Sequence, residues 1–356
     1  MQDIVKLKAN YAFIDTPYDM QYFCQQNIDN ANGETLCILS HILGIMTAYI
    51  FPFIGTFGLV SNLLCCYIFI FKYKKKTRQT VFLAFLSLAD FGCIFSFGWL
   101  WMFPAKGLPY ASNGEIYLFI FNISDMACRF YRAIYTTISS WTYGAFFSVC
   151  LDRVLAIYFP MKMMKYGFKF ALIFSFVMLG GCILFTNIVA GFYRWIQLGP
   201  KIFCFEVAGS ELVMQEFIKY WRILFVHSGL VPVLLILFIN LALIYKIVQS
   251  KKAQQSLTVG AIKDARKEIK ATIVVLILSI FFLIGSIPLI SFTSLIIYTQ
   301  TRFSNEKSVN DQLQMIFNLL DIGTNISFWM ESINFFVYYF KIKRFRSYFN
   351  GIFGRS

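Results

Sequence analysis

The 356-residue chain is 58% hydrophobic and 19% aromatic, with only 14% charged residues and a mean hydropathy of +0.64. A water-soluble domain carries about a quarter charged residues, so this composition excludes an ordinary soluble protein and indicates a membrane protein. The net charge of +14 sits in short gaps between apolar runs, the pattern of cytoplasmic loops, and this argues against nucleic acid as a partner.

The first stretch, residues 1–42, is polar and reads as an extracellular N-terminal segment. It lacks an apolar core followed by a small-residue cleavage site, so the first membrane helix is expected to act as its own insertion signal. Cys24 and Cys37 within it are candidates for a disulfide. Nine cysteines are an odd number, so at least one is free or pairs between chains.

Seven apolar stretches follow, near 43–71, 80–103, 126–158, 167–191, 218–248, 268–298 and 312–340. Each is long enough to cross about 30 Å of hydrocarbon, which takes roughly 20 helical residues. The fold expected is all-α, with a seven-helix bundle over 43–340. The third and seventh stretches carry Thr, Ser, Asn, Arg and Glu among their apolar residues. Such helices turn their polar groups to the bundle interior, so these two are expected to be central.

Sidedness follows from the basic residues. The gap KYKKKTRQ, Lys162, Lys165 and Lys169, the run from Lys246 to Lys270, and Lys341, Lys343, Arg344 and Arg346 all fall on one side. The other gaps mix signs, with Glu115, Asp125, Glu206, Glu211, Glu216, Glu306 and Asp311. The basic side faces the cytoplasm and the N-terminus lies outside. Residues 341–356 alternate aromatic and basic side chains, which predicts an amphipathic helix on the inner bilayer surface and a short tail. No internal repeat and no matched pair of broken half-helices is visible, which argues against a carrier.

Two features stand out against the apolar background. Asp152 and Arg153 sit side by side in TYGAFFSVCLDRVLAIYFP, and charges beside hydrocarbon are kept for a function or lie where they reach water. Cys128 precedes Arg153 by 25 residues (153 − 128), or about 37 Å of helix, so one helix carries Cys128 outside and the charge pair at the inner face. Cys204 lies in the extracellular gap between helices four and five, in an oxidising compartment, and is the natural disulfide partner of Cys128.

Together these residues resemble the rhodopsin-like family of G-protein-coupled receptors. The resemblance runs over residues 45–350: Asn62 in GLVSNLL, Asp90 in LSLAD, Cys128, LDRVLAIYFPMK with Pro160, Pro232, Pro288, and SINFFVYYFKIKRF with Asn334 and Tyr338. The chain departs from the family pattern at Val154, Asn240, Ser286 and Phe335, and helix four lacks the usual tryptophan. Asn-Phe in place of Asn-Pro is similar to invertebrate neuropeptide receptors of the FMRFamide and myosuppressin type, and to the related nematode chemoreceptor branch.

The resemblance implies an activation switch of Asp152, Arg153, Phe282, Pro288, Asn334 and Tyr338. In it Arg153 receives a heterotrimeric G protein when helix six swings outward. Asn62, Thr142 and Asn334 lie at levels where they surround Asp90 in a buried polar site, where many relatives hold a sodium ion, and this chain adds Glu331 one turn before Asn334. No other cofactor and no resident metal is expected. Two nearby carboxylates repel, so either one holds a proton or the pair holds a cation more tightly. No basic residue is expected in the core of helices one, two, six or seven to neutralise Glu331.

Ligand chemistry narrows by absence. Helix seven has no lysine between Ile316 and Phe340, which excludes a retinal Schiff base, and the family's amine-binding aspartate position holds Tyr135. The candidate ligand residues are Asp125, Arg129, Arg132, Tyr135, Asp321 and Trp99, with Tyr131, Trp101 and Trp195 beside them. Aromatic walls with both signs of charge suit a neuropeptide carrying aromatic and arginine side chains. Arg129 and Arg132 equally suit an acidic ligand, and a chemosensory receptor for small environmental molecules is the alternative. A channel or transporter is a second alternative. With only His41 and His227 and no nucleophile–base cluster, an enzyme is not indicated. A plasma-membrane, multi-pass receptor is expected, with Asn122 of Asn122-Ile-Ser124 as a glycan acceptor and Asn325-Ile-Ser327 buried and unmodified. Few tail hydroxyls (Ser347, Ser356) predict weak tail-dependent arrestin recruitment.

Overall fold

The computed structural model describes residues 16–26, 31–190, 193–198, 201–206, 229–253, 259–302, 308–352 and 354. The expected start of helix five at 218, the acidic Glu211, Glu216 and Glu306, and Ser356 lie outside the described residues. So do the side chains of Trp195, Glu206, Asp311 and the basic residues between 251 and 267.

Helix α1 is assembled from Ala31–Ile45, a π turn at Met46–Ile50, Phe51–Tyr67 and a second π turn at Ile68–Lys72. Helix α2 runs from Arg78–Cys93 through a long π stretch, Ile94–Gly107, to Leu108–Ala111. Then come α3 (Asp125–Tyr158), α4 (Phe168–Ala190), α5 (Leu230–Ala253), α6 (Val259–Arg302), α7 (Ser308–Lys341) and the short α8 (Lys343–Ile352). Together α1 to α7 form the seven-helix bundle. Among the described residues α1, α2, α4, α5 and α6 are long and apolar enough to cross a membrane by hydropathy alone. The polar residues of α3 and α7 keep these two below that level.

Burial explains the difference. Over its cytoplasmic half α3 buries Trp141, Thr142, Tyr143, Gly144, Ala145, Phe146, Ser148, Val149, Cys150, Asp152 and Arg153, covering nearly all its faces. Such a helix is enclosed by its neighbours, and α3 touches α2, α4, α5 and α6. At the periphery, only 11% of the most apolar window of α4 is buried within the protein, against 67% for α2. The outward residues of α4 (Leu172, Ile173, Phe176, Val177, Leu184, Phe185) form a lipid-facing surface. On the opposite side α1 and α7 approach closely: a Cβ on Gly58 would collide with Ser332 and Ile94. Small residues allow this contact between helix backbones in a bilayer.

Three elements differ from the sequence expectation. Helix α1 begins at 31 rather than 43, because the chain turns apolar at Leu36 and buries Leu36, Ser40 and Leu43. Ahead of it a short helix, Pro17–Gln26, starts where Thr16 and Asp19 bond reciprocally: Thr16 Oγ1 donates to Asp19 Oδ2 at 2.7 Å, and the Asp19 N–H donates back to Thr16 Oγ1 at 3.3 Å. The 1–42 segment is therefore partly helical and tied down by the Cys24–Cys37 disulfide. The third difference is a two-stranded antiparallel hairpin, β1 (Tyr193–Leu198) and β2 (Lys201–Glu206), which places Trp195 opposite Cys204. Its aromatic and β-branched residues around Gly199-Pro200 are the strand signal that the helical reading passed over.

Candidate functional site

The cytoplasmic end of α3 is built around Asp152, 3% exposed, whose two oxygens hold different cations. Arg153, 5% exposed, bonds Oδ2 through Nη2 and, at 3.2 Å, through Nε. Arg78 Nε bonds Oδ1 at 2.9 Å, while its Nη1 reaches the carbonyls of Met163 and, at 2.8 Å, Tyr166. Local sequence fixes Arg78. Thr77 caps α2, its Oγ1 accepting the Thr80 N–H at 3.3 Å while Thr80 Oγ1 accepts the Thr77 N–H at 3.0 Å. Arg78, the first residue of α2, is thereby set against the turn Pro160–Met163 after α3. Near this end Tyr158 donates to the Ala242 carbonyl of α5 at 3.3 Å, and the Cys150 thiol meets Ser279 of α6 at 3.6 Å.

One layer deeper, Asn334 Nδ2 donates to Asp90 Oδ2 at 2.8 Å and joins α7 to α2. Asn62 Nδ2 reaches the Glu331 carbonyl at 3.4 Å. The Cys93 thiol lies against both Glu331 and Thr142, while the Thr142 hydroxyl itself returns to the Ile138 carbonyl at 3.0 Å. The structure thus brings all five expected members of the polar site into one cluster, with Thr142 joined to it through Cys93. Asn62 Oδ1 and Glu331 Oε2 are buried acceptors with no donor among the described residues. Beside this layer Phe282 stacks on Phe146 at 4.3 Å between ring centres, and Tyr143 meets Phe282 edge-on. Pro288 of α6 packs on Gly323 of α7, and Ser327 Oγ donates to the Gly285 carbonyl at 2.8 Å within the turn before the proline. Asn240 is buried, with neither its amide nitrogen nor its oxygen bonded among the described residues.

At the extracellular end the Cys128–Cys204 disulfide fastens β2 to α3. Tyr135 packs on Phe97 with tilted rings, 4.2 Å between centres, with Trp101 and Tyr131 close by, and Arg132 lies over Phe121 and Tyr135 at 5.5 and 5.7 Å. The expected ligand residues do not all meet there. Trp99 packs against Phe51 and Phe103 between α1 and α2. Asp125 and Arg129 pair with each other at 2.6 Å, both 46% exposed. Asp321 is buried and bonded by Lys106. Asn122 is buried as well, its Oδ1 accepting the Cys204 N–H at 3.1 Å. In the folded chain Asn122 is a bracket for β2, not a presented glycan acceptor. Asn325 is fully buried, as expected.

A family model described as the 7 transmembrane receptor (rhodopsin family) matches residues 61–334. The chain belongs to the rhodopsin family of seven-transmembrane receptors. No curated protein matches the chain. As a member of that family it is an integral, multi-pass membrane receptor rather than an enzyme, with an extracellular ligand and a G protein as its partners.

Two residues of this receptor escaped the sequence reading. Arg78 read as one more positive charge of a basic loop, and only the cap at Thr77 singles it out. Lys106 lay beyond the expected end of helix two at 103, but the π stretch Ile94–Gly107 carries α2 further and turns Lys106 inward, 7% exposed, beside Trp101 and Asp321. A π stretch around Pro104 has no reliable periodicity signature. The flanking Pro104 and Pro109 were the available cue. Phe335, which replaces the usual proline, leaves α7 unbroken and sets its ring on Phe57, Phe345 and Phe349.

Proposed function

We propose that the receptor works at the plasma membrane, binds an extracellular neuropeptide and passes that event to a heterotrimeric G protein by outward movement of α6. The observation that carries the peptide reading is the vestibule wall. The Arg132 guanidinium lies over Phe121 and Tyr135, Tyr135 packs in turn with Phe97, Trp101 and Tyr131, and the β hairpin contacts the same helix α3. An extended peptide pairs its main chain with a strand edge and lowers alternate side chains into such a wall. The Asp125–Arg129 pair is half exposed, so a ligand charge opens it at small cost. Asp321 is a weaker ligand candidate, because Lys106 already neutralises it.

At the other end Asp152 and Arg153 restrain the resting bundle, with Phe282, Pro288, Asn334 and Tyr338 relaying the rearrangement of α6 and α7. Asn62, Asp90, Thr142, Glu331 and Asn334 form a site that suits a sodium ion. The buried acceptors Asn62 Oδ1 and Glu331 Oε2 fit an electron-poor guest, which would supply positive charge between two carboxylates. α8, with its basic residues, lies on the inner bilayer surface.

The test is a screen of amidated peptides on cells expressing the chain, read as nucleotide exchange on the G protein, with small environmental molecules as a second arm. A peptide agonist whose potency falls at least tenfold in Arg132→Gln is the expected result. Response to small molecules alone makes it a chemosensory receptor and overturns the peptide reading.

A further inference from the structure

The Asp152 carboxylate shares its oxygens between two arginines that belong to different parts of the bundle. Arg153 is on α3 itself, the group released when the G protein docks. Arg78 is on α2, and its remaining bonds go to the Met163 and Tyr166 carbonyls just past the end of α3. Among the described residues these are the two cations that bond Asp152.

Release of Arg153 alone would strip its partner from a carboxylate that is almost fully buried. An ion left so, without water or counter-charge, is strongly unfavourable. Arg78 removes that obstacle, because it holds the other oxygen whether or not Arg153 is present. We infer that Arg78 is the standing counter-ion of Asp152, a positioning residue that lets Arg153 leave and so sets the resting-to-active balance. The inference rests on the reading of Asp152–Arg153 as the restraint on the resting state.

This fixes a direction opposite to that of a simple latch. If Arg78 were a second lock on the resting bundle, its loss would activate the receptor. As a standing counter-ion, its loss leaves Arg153 as the sole partner of Asp152 and makes departure harder. Neutralising Asp152 removes the need for either cation, so the effect of Arg78 must vanish there. A merely structural role would not obey that condition.

The measurement is the apparent affinity of the full-length receptor in nanodiscs for nucleotide-free G-protein heterotrimers, using whichever heterotrimer of a panel binds best. Arg78→Gln is expected to weaken binding at least tenfold, since only the fraction of receptor in the competent state contributes. Arg78→Lys, which keeps the charge beside Asp152, recovers affinity to within about threefold of the parent on the same argument. Asp152→Asn alone is expected to strengthen binding, and adding Arg78→Gln to it to change nothing further. Tighter binding by Arg78→Gln overturns the inference, as does an equal loss in the Asp152→Asn background, which would assign Arg78 to the docking surface. No change in Asp152→Asn alone would sink the underlying reading of the restraint, separately from Arg78.

Discussion

At the scale of single residues, the least expected feature is a lysine and an aspartate buried together near the extracellular ends of α2 and α7. Lys106 and Asp321 have side chains only 9% and 4% exposed. Removing one member of such a pair leaves the other charge stranded, which costs about 3–5 kcal/mol, whereas removing both leaves little to desolvate. Lys106→Met or Asp321→Asn alone is therefore expected to lower the unfolding temperature of the nanodisc-bound receptor sharply. The Lys106→Met/Asp321→Asn double variant is expected to recover most of the loss. Additive losses in the double variant would show that the pair is not coupled. Only half of this pair was legible in the sequence. A charge within the apolar run of helix seven is visible as an anomaly, but the inward turn of Lys106 depends on the π geometry of α2.

The elements show where local pattern suffices and where it does not. Alternating aromatic and basic residues after α7 predicted a helix, and α8 forms with Phe345 fully buried against Phe69, Tyr338 and Phe335. Phe345→Ala removes the ring that joins α8 to α1 and α7, a change worth about 3–5 kcal/mol in a packed core. Faster amide hydrogen exchange confined to residues 343–352 is the expected outcome; unchanged protection there counts against Phe345 as the anchor. The N-terminal helix was not legible, because its stability comes from distant partners rather than from its own polar sequence. Tyr117 donates to Asp19 at 2.7 Å, and burial, then this bond, push its phenol above the usual tyrosine range, so it remains a donor throughout the physiological span. Tyr117→Phe loses a bond to a charged acceptor worth about 1.5–3 kcal/mol. Limited proteolysis is expected to cut ahead of α1 faster in that variant, and equal rates would remove Tyr117 from the tether.

For the whole molecule, the succession of apolar stretches was enough to read a seven-helix bundle. The polar content of α3 and α7 was enough to place them in the interior. What neither could supply is the balance between two states of the bundle, which depends on how groups from different helices meet. We propose that the polar layer tunes that balance. Asn334 joins α7 to Asp90 of α2, and Asn62 reaches the backbone of α7 at Glu331, so any guest held there binds the arrangement that keeps these helices together. A ligand that binds one state alone stabilises it by RT ln(1 + [L]/Kd), about 2.7 kcal/mol at a hundredfold excess over Kd. Raising sodium at constant ionic strength, with potassium as replacement, is therefore expected to lower agonist-free nucleotide exchange by the parent receptor. Asp90→Asn is expected to abolish that response. Glu331→Gln removes the second carboxylate and is expected to shift the response to higher sodium, because one negative charge no longer attracts the ion in a low-dielectric interior. If Glu331→Gln leaves both the basal rate and its sodium dependence unchanged, Glu331 takes no part in the site and its burial beside Cys93 is a matter of packing alone.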